Sequence, residues 1–572
     1  VRFWGKSIFK LKAVSIELWI SVAFLLAAAC LFLRDVRASF PLDYDDEPIY
    51  LGNGLSGLLQ LDWSPFYSLW YRVLHLVVPD TVGLFFTSMI LIVSMLSAAF
   101  FLLLLNFGLR PFLAALGGLW VLLALYNGAE PVKVIHFHLI LFLGLFCFVS
   151  RLRLPLEKKF LLLSVILLIL SYSRPESVLT SFLCFLLFCG LYSVRLYRPD
   201  RFLWLAWGAG AVGVLAIWMF PPFSRGWEAF MQHYNITMVT VDPARASIQG
   251  HLLFPRAHNA LEALLVNPGA VLEVFFLRLR IFIGKSLPAI ALGHYPFLNL
   301  HDRVDFGVMG WEYGLAAFAL LLLALFLKRW KETRRIVTQH AFLFLMAGLF
   351  FVKAVILCVT VNPTMLNILD FGLFGMAALA VWVASGWQRP FSRSALFLVT
   401  AFFVFLLFLL PKSGGFPYVP WLQTSQKSQP ALLLQTVQGI REFNRSKGIT
   451  SPLMFAPRVY SAFASEPAVK ALLDKETDKG VSQVSHHYFT YHRDWAWPNP
   501  HPPLKKLLDQ YRISILVIDK YVWEELRSGF YGRFPEEMKN FRDPCWTLEL
   551  KNAFASVYYR KESCPLKALG AS

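Results

Sequence analysis

A chain of 572 residues that is 57% hydrophobic and 16% charged, with a mean hydropathy of +0.54, is far more apolar than the roughly 45–50% of ordinary soluble domains. It reads as a polytopic α-helical membrane protein. Its formal net charge of +18 sits in loop lysines and arginines and in a basic C-terminal region, which is not the pattern of a nucleic-acid-binding surface. Apolar stretches of spanning length, roughly 17–25 residues with flanks, fall near 14–33, 82–106, 111–127, 134–150, 159–173, 177–194, 202–220, 312–327, 341–360, 365–385 and 394–411, about eleven spans. The first lacks a small-residue cleavage site and reads as an anchor.

Basic residues resist translocation, so their loops mark the cytoplasmic side. Arg2, Lys6, Lys10 and Lys12 precede the first span, and alternate loops carry Arg110, then Arg151 to Lys159, Arg195 to Arg201, Lys328 to Arg335, and Arg389 with Arg393. This places the N-terminus in the cytoplasm of a multi-pass protein of the plasma (inner) membrane. The expected organisation is a transmembrane domain over 1–411 with outer loops 34–81 and 221–311, a linker over 412–428 and a soluble extracytoplasmic α/β domain over 429–572. Within the last, 430–446 has helical periodicity, 453–455 reads as a short strand, 503–510 as a helix and 513–519 as a buried strand. The segments 546–550 and 555–559 then form a hairpin. In the long outer segment, Leu261 to Ile283 reads as one apolar-faced helix ending in Arg278, Arg280 and Lys285. That segment is expected to be a partly helical cover that orders when donor binds.

Five cysteines sit inside apolar spans, where a thiol is usually a small hydrophobe. Cys545 and Cys564 flank the terminal hairpin on the oxidising side, which allows a disulfide. No Cys/His spacing resembles a zinc site, and His136 and His138 read as solvated or packed rather than as metal ligands. The run Asp43-Tyr44-Asp45-Asp46-Glu47-Pro48-Ile49-Tyr50 places four carboxylates beside the first span. Charge next to hydrocarbon is costly, so such a run needs either solvation or a task. Past it come Gly52-Asn53-Gly54, too short for a phosphate cradle, and the aromatic stretch Trp63 to Tyr71, which suits a segment lying flat at the membrane interface.

Asp46-Glu47-Pro48-Ile49-Tyr50, followed by Pro65-Phe66-Tyr67 in one outer loop and by Ser173-Arg174-Pro175-Glu176 at an outer span end, resembles the GT-C class of polytopic glycosyltransferases. These use polyprenyl-phosphate sugars and include protein O-mannosyltransferases and aminoarabinose transferases. The terminal strands resemble the end of their extracytoplasmic α/β domain. The resemblance implies a transfer from a lipid-linked sugar to an acceptor hydroxyl at the outer face, the acceptor being a glycan, lipid or protein. Asp46 takes the role of general base, Glu47 orients it, and Asp45 or Asp43 substitutes if the register shifts. Arg174 is the favoured partner of the donor phosphate, with Lys133, Arg245 and Arg256 as further candidates; Arg174 snorkelling to water or pairing with Glu176 is the alternative. Glu130 is a secondary acidic candidate. No tightly bound cofactor is expected besides the lipid-linked donor, no metal ligands are assigned, and these residues do not specify a divalent metal.

Two departures stand out. The Val361 to Asn367 stretch has no cation where many relatives carry an arginine, and no Trp-Trp-Asp motif appears, which disfavours transfer of a whole oligosaccharide to asparagine. The alternatives are a non-catalytic subunit on the same scaffold and a transporter of lipid-linked sugars. The latter should place ionisable residues in mid-span, whereas here they are read as gathering at span ends.

Overall fold

The structure is a computed structural model. It describes most of residues 11–34, 47–56, 64–124, 134–195, 257–283, 328–360, 368–384, 429–448, 504–510, 513–519 and 541–564, with isolated residues between. The chain divides into two compact units, one of Val1–Arg34 with Ile90–Ser413, the other of Asp35–Met89 with Gly414–Ser572.

The described helices, in order, are α1 (Leu11–Leu33), α2 (Glu47–Ser56), α3 (Pro65–His75), α4 (Thr81–Asn106), α5 (Pro111–Leu123), α6 (Val134–Arg151), α7 (Leu156–Leu170), α8 (Ser177–Arg195), α9 (Ala260–Val266), α10 (Pro268–Ile281), α11 (Trp330–Gln339), α12 (Ala341–Thr360) and α13 (Leu369–Ala384). Four of these, α1, α4, α6 and α12, are long and apolar enough to cross a membrane. The 26 residues of α4 reach about 39 Å at 1.5 Å per residue, more than a hydrocarbon core of about 30 Å. Helices α5, α7 and α13 fall on three more of the expected spans but are shorter, and α8 falls on a fourth with a shorter apolar stretch, Ser177–Tyr192. The expected span 312–327 lies outside the described residues, and those at 202–220 and 394–411 are described only in part.

In the helical unit, aromatic rings fill the space between α6, α12 and α13. Phe146 stacks on Phe342 at 4.6 Å and meets Phe374 edge-on at 4.9 Å, and Phe350 lies 5.0 Å from Phe374. Polar side chains join helix termini. Glu17 on α1 binds Arg110 at 2.7 Å and accepts from the Phe112 amide, an otherwise orphaned donor in the first turn of α5. Asn106, ending α4, pairs with Ser150 and Arg151, which end α6. Lys159 on α7 donates to the Ser150 carbonyl, His340 before α12 meets Phe107, and Trp382 late in α13 donates to Thr333 on α11. These contacts bring the basic segments 106–110, 150–159 and 328–340 to one end of the unit. The starts of α6, α8 and α13 and the end of α12 lie at the other.

Residues 260–281 are two helices rather than the single helix read from the sequence. The cause is local. Pro268 has no amide to donate and forces the residue before it out of helical geometry, so Asn267 adopts φ −143°, ψ 76°. Its side chain then caps α10 by accepting from the Ala270 amide at 3.1 Å. Asn259 caps α9 the same way through Glu262.

The other unit holds α2, α3, α14 (Gln429–Ser446), α15 (Leu504–Gln510) and the strands β1 (Met454–Phe455), β2 (Ile515–Asp519), β3 (Trp546–Lys551) and β4 (Ala555–Arg560). The sheet order is β1-β2-β4-β3, with β1 parallel to β2 and the other pairings antiparallel. All five β2 residues are buried, as a central strand covered on both faces requires. Helix α14 packs on the hairpin through Phe443, 3.9 Å from Tyr559, and through Thr436, which accepts from Asn552 at 2.9 Å. Arg441 of α14 binds Asp80 at 2.8 Å and also donates to Thr81, while Asp80 caps α4 through the Gly83 amide. The linker 412–428 lies outside the described residues.

Cys545 and Cys564 form the disulfide that the sequence allowed, with their Cα atoms 5.5 Å apart and the hairpin between them. Cys545→Ser should lower the sheet unit's unfolding free energy by about 2–4 kcal/mol. Thermal unfolding of the oxidised chain against the variant measures this, and free alkylation of both thiols without reductant would show that the bond is absent.

Candidate functional site

Two polar arrangements stand out, one in each unit. The first is built on α2 and α3. Pro65 occupies the first turn of α3, where its missing amide costs nothing. From there Tyr67 and Tyr71, one helical turn apart, face inward, while Leu69 and Val73 stay exposed on the opposite side. That split gives α3 the amphipathic build of a segment lying at an interface. Gly54 permits the close approach of α2, since a Cβ there would lie 2.5 Å from the Ser68 carbonyl oxygen. The role of the Gly52-Asn53-Gly54 stretch at this point is therefore packing.

At the start of α2, the fully buried Glu47 accepts hydrogen bonds at Oε1 from both the Tyr67 and Tyr71 hydroxyls. Tyr50 completes the group edge-on to Tyr67 at 5.3 Å. Burial foremost, then the Glu47 charge, pushes both phenols well above their ordinary pKa, so both remain donors at neutral pH. The Glu47 carboxylate thus accepts two charge-assisted bonds that tie the start of α2 to α3. Asp43, Asp45 and Asp46 lie outside the described residues, as do Glu130, Lys133, Arg245 and Arg256.

The second arrangement gathers at one end of the helical unit, opposite the basic segments. Arg174, in the turn between α7 and α8, donates to Glu176 at 2.7 Å, the pairing that stood as the alternative to a phosphate-binding role. Burial would raise the Glu176 carboxyl, but the charges of Arg174 and Lys353 hold it below the ordinary carboxylate range. Near them His138 on α6 shares a 3.2 Å hydrogen bond with Ser177 at the start of α8. Both His136 and His138 are buried. Lys353 on α12 forms a buried ion pair with Asp370 on α13. Arg278 on α10 donates to Thr237 at 3.1 Å and to the Cys358 and Val359 carbonyls at 3.3 and 2.9 Å, satisfying the end of α12. His233, a turn before Thr237, lies within electrostatic reach of Arg174, Glu176 and Arg278.

This corrects one expectation. Ionisable residues are not confined to span ends: Lys353 is the thirteenth residue of the 20-residue helix α12, and its partner Asp370 belongs to the next helix. Both were legible as the only charged residues of their apolar helices. Among the described residues no group of three His, Cys, Asp or Glu side chains is placed to hold a metal ion. No protein-family model matches the chain, and no curated protein does.

Proposed function

We propose that this chain is a membrane glycosyltransferase that moves a sugar from a polyprenyl-phosphate donor to an acceptor hydroxyl at the outer face. The observation that carries the reading is the Glu47 clamp. The acidic motif around Glu47 and the Pro-aromatic-Tyr motif around Tyr67 are 20 residues apart in sequence, yet one carboxylate joins them, with Tyr71 as a second donor. The clamp fixes the start of α2, and the acidic run that supplies the proposed base immediately precedes it in sequence. In the proposed step Asp46 takes the acceptor O–H proton as the acceptor oxygen bonds to the anomeric carbon. The carbon–oxygen bond to phosphate breaks, and the polyprenyl phosphate leaves with the electron pair, its charge balanced by basic side chains. The acceptor is a glycan, lipid or protein hydroxyl.

The test is transfer itself: the full chain in liposomes, offered a panel of radiolabelled polyprenyl-phosphate sugars and hydroxyl acceptors, should release polyprenyl phosphate and label an acceptor. Bound polyprenyl phosphate in the purified protein, seen by mass spectrometry, would agree. No transfer from any donor would favour the non-catalytic subunit.

The ion pair Lys353–Asp370 gives specific support to a second reading, transport of a lipid-linked sugar, because charge inside a membrane span marks a substrate or ion path more often than a scaffold. Movement of labelled donor across the vesicle membrane without transfer would establish it.

The reading also assigns sidedness. The C-terminal unit and the outer loops lie outside, and the basic segments that share one end of the helical unit lie in the cytoplasm. Arg445→Cys should react with a membrane-impermeant thiol reagent in intact cells, and Lys331→Cys should not. Both positions are exposed, whereas the nearby Thr333 is buried against Trp382 and would resist labelling from either side. The reverse pattern overturns the orientation.

A further inference from the structure

We propose that Arg278 and His233 form an oxyanion site for a phosphate group, at the end of the helical unit opposite its basic segments. Arg278 is fully buried on α10. Its Nε and Nη1 are used by Thr237 and by two carbonyls of α12, but Nη2 is buried with no partner. Unlike Arg110, Arg174, Lys353, Arg441 and Arg560, which all pair with carboxylates, Arg278 has no carboxylate partner among the described residues. Capping α12 explains two of its bonds and Thr237 takes the third, which leaves Nη2 and the charge unanswered. A buried guanidinium without a counter-ion is costly, and although burial pulls Arg278 down to about 9 it keeps its charge at neutral pH. An anion is the missing partner.

The second donor follows from the turn that Arg278 grips. Arg278 Nε donates to the Thr237 hydroxyl, which donates in turn to the His233 carbonyl at 2.7 Å. His233 therefore sits on the same turn, and its Nδ1 is likewise buried without a partner. Burial foremost, then the Arg278 charge, pulls this imidazole down to about 4, so it is neutral at pH 7, and in the tautomer with the proton on Nδ1 that nitrogen is the donor the site requires. Two separated donors, rather than one arginine fork, suit a tetrahedral oxyanion better than a planar carboxylate. A position at a helix end of a membrane protein suits the phosphate of a lipid headgroup or a free phosphate.

This site deepens the transferase reading by naming the residues that meet the donor's phosphate, and so rests on it, but it is tested without any sugar. Equilibrium binding of radiolabelled dodecyl phosphate and of inorganic phosphate to the purified full chain in dodecyl maltoside reads it directly. Saturable binding of both probes, or of dodecyl phosphate alone, supports the site, the second outcome assigning it to a lipid headgroup. Arg278→Gln should weaken binding about 10-fold or more, the loss typical of a charged hydrogen-bond donor. Should that variant not fold, His233→Ala, which leaves the α12 cap in place, carries the decision. No saturable binding by the unmutated chain overturns the site, as does unchanged affinity in Arg278→Gln or, where that variant does not fold, in His233→Ala. Transfer that survives Arg278→Gln with unchanged donor affinity would remove this site while leaving the transferase reading intact. Phosphate binding lost in Arg278→Gln, in a chain that transfers nothing, would do the opposite.

Discussion

Lys353→Met alone should destabilise the helical unit by about 3–5 kcal/mol, whereas Lys353→Met with Asp370→Leu should restore most of that loss. The pair is nearly sealed, its side chains 6% and 5% exposed, between two helices otherwise made of apolar residues. Removing the ammonium strands the Asp370 carboxylate, which is left with the Phe371 amide, at 2.8 Å, as its donor among the described residues. Removing both charges trades an ion pair for hydrocarbon contacts with Phe350, whose ring centroid lies 5.5 Å from the ammonium. Unfolding midpoints in a mild detergent measure both. A double variant as unstable as the single would mean that packing, and not the unpaired charge, sets the cost. The double variant also separates scaffold from function: full stability with lost transfer or lost transport would show that the pair serves the chemistry.

The elements easiest to read were those whose periodicity was undiluted. Helix α14, the buried strand β2 and the hairpin β3–β4 lie within a residue or two of the segments 430–446, 513–519 and 546–559, because alternation and amphipathic spacing are local signals. The break at Asn267-Pro268 was present in sequence as an Asn-Pro step, but the surrounding apolar face masked it. The polar cluster was legible only in part. Arg174 and Glu176 are two residues apart and their pairing could be weighed, whereas Arg278 meets α12 across 80 residues and Lys353 meets Asp370 across 17. Such contacts depend on which helices become neighbours, and no local pattern encodes that. The second tyrosine of the clamp, Tyr71, was missed for a simpler reason. It lies one turn beyond the Pro-Phe-Tyr motif, and helical spacing from Tyr67 was the available signal.

Asp46→Asn should lower transfer by about 10²-fold or more while leaving donor binding in place, since it keeps the side chain's size and removes the group that accepts the proton. Glu47 should behave differently. Glu47→Ala leaves the Tyr67 and Tyr71 hydroxyls buried without their common acceptor, a loss of about 1–3 kcal/mol for each unsatisfied group. Its activity should therefore fall together with the stability of the α2–α3 segment. Tyr71→Phe removes one donor and keeps the other, so it should show a smaller version of the Glu47 effect. A stability assay run beside the transfer assay distinguishes the two residues: Asp46→Asn should be as stable as the unmutated chain and inactive, and Glu47→Ala should be less stable. If Asp46→Asn keeps full transfer, the base is another carboxylate of the run, and Asp45→Asn and Asp43→Asn come next. If Glu47→Ala is fully stable yet inactive, Glu47 itself touches the reacting atoms, and its bonds to the two tyrosines tune a catalytic carboxylate instead of anchoring a loop.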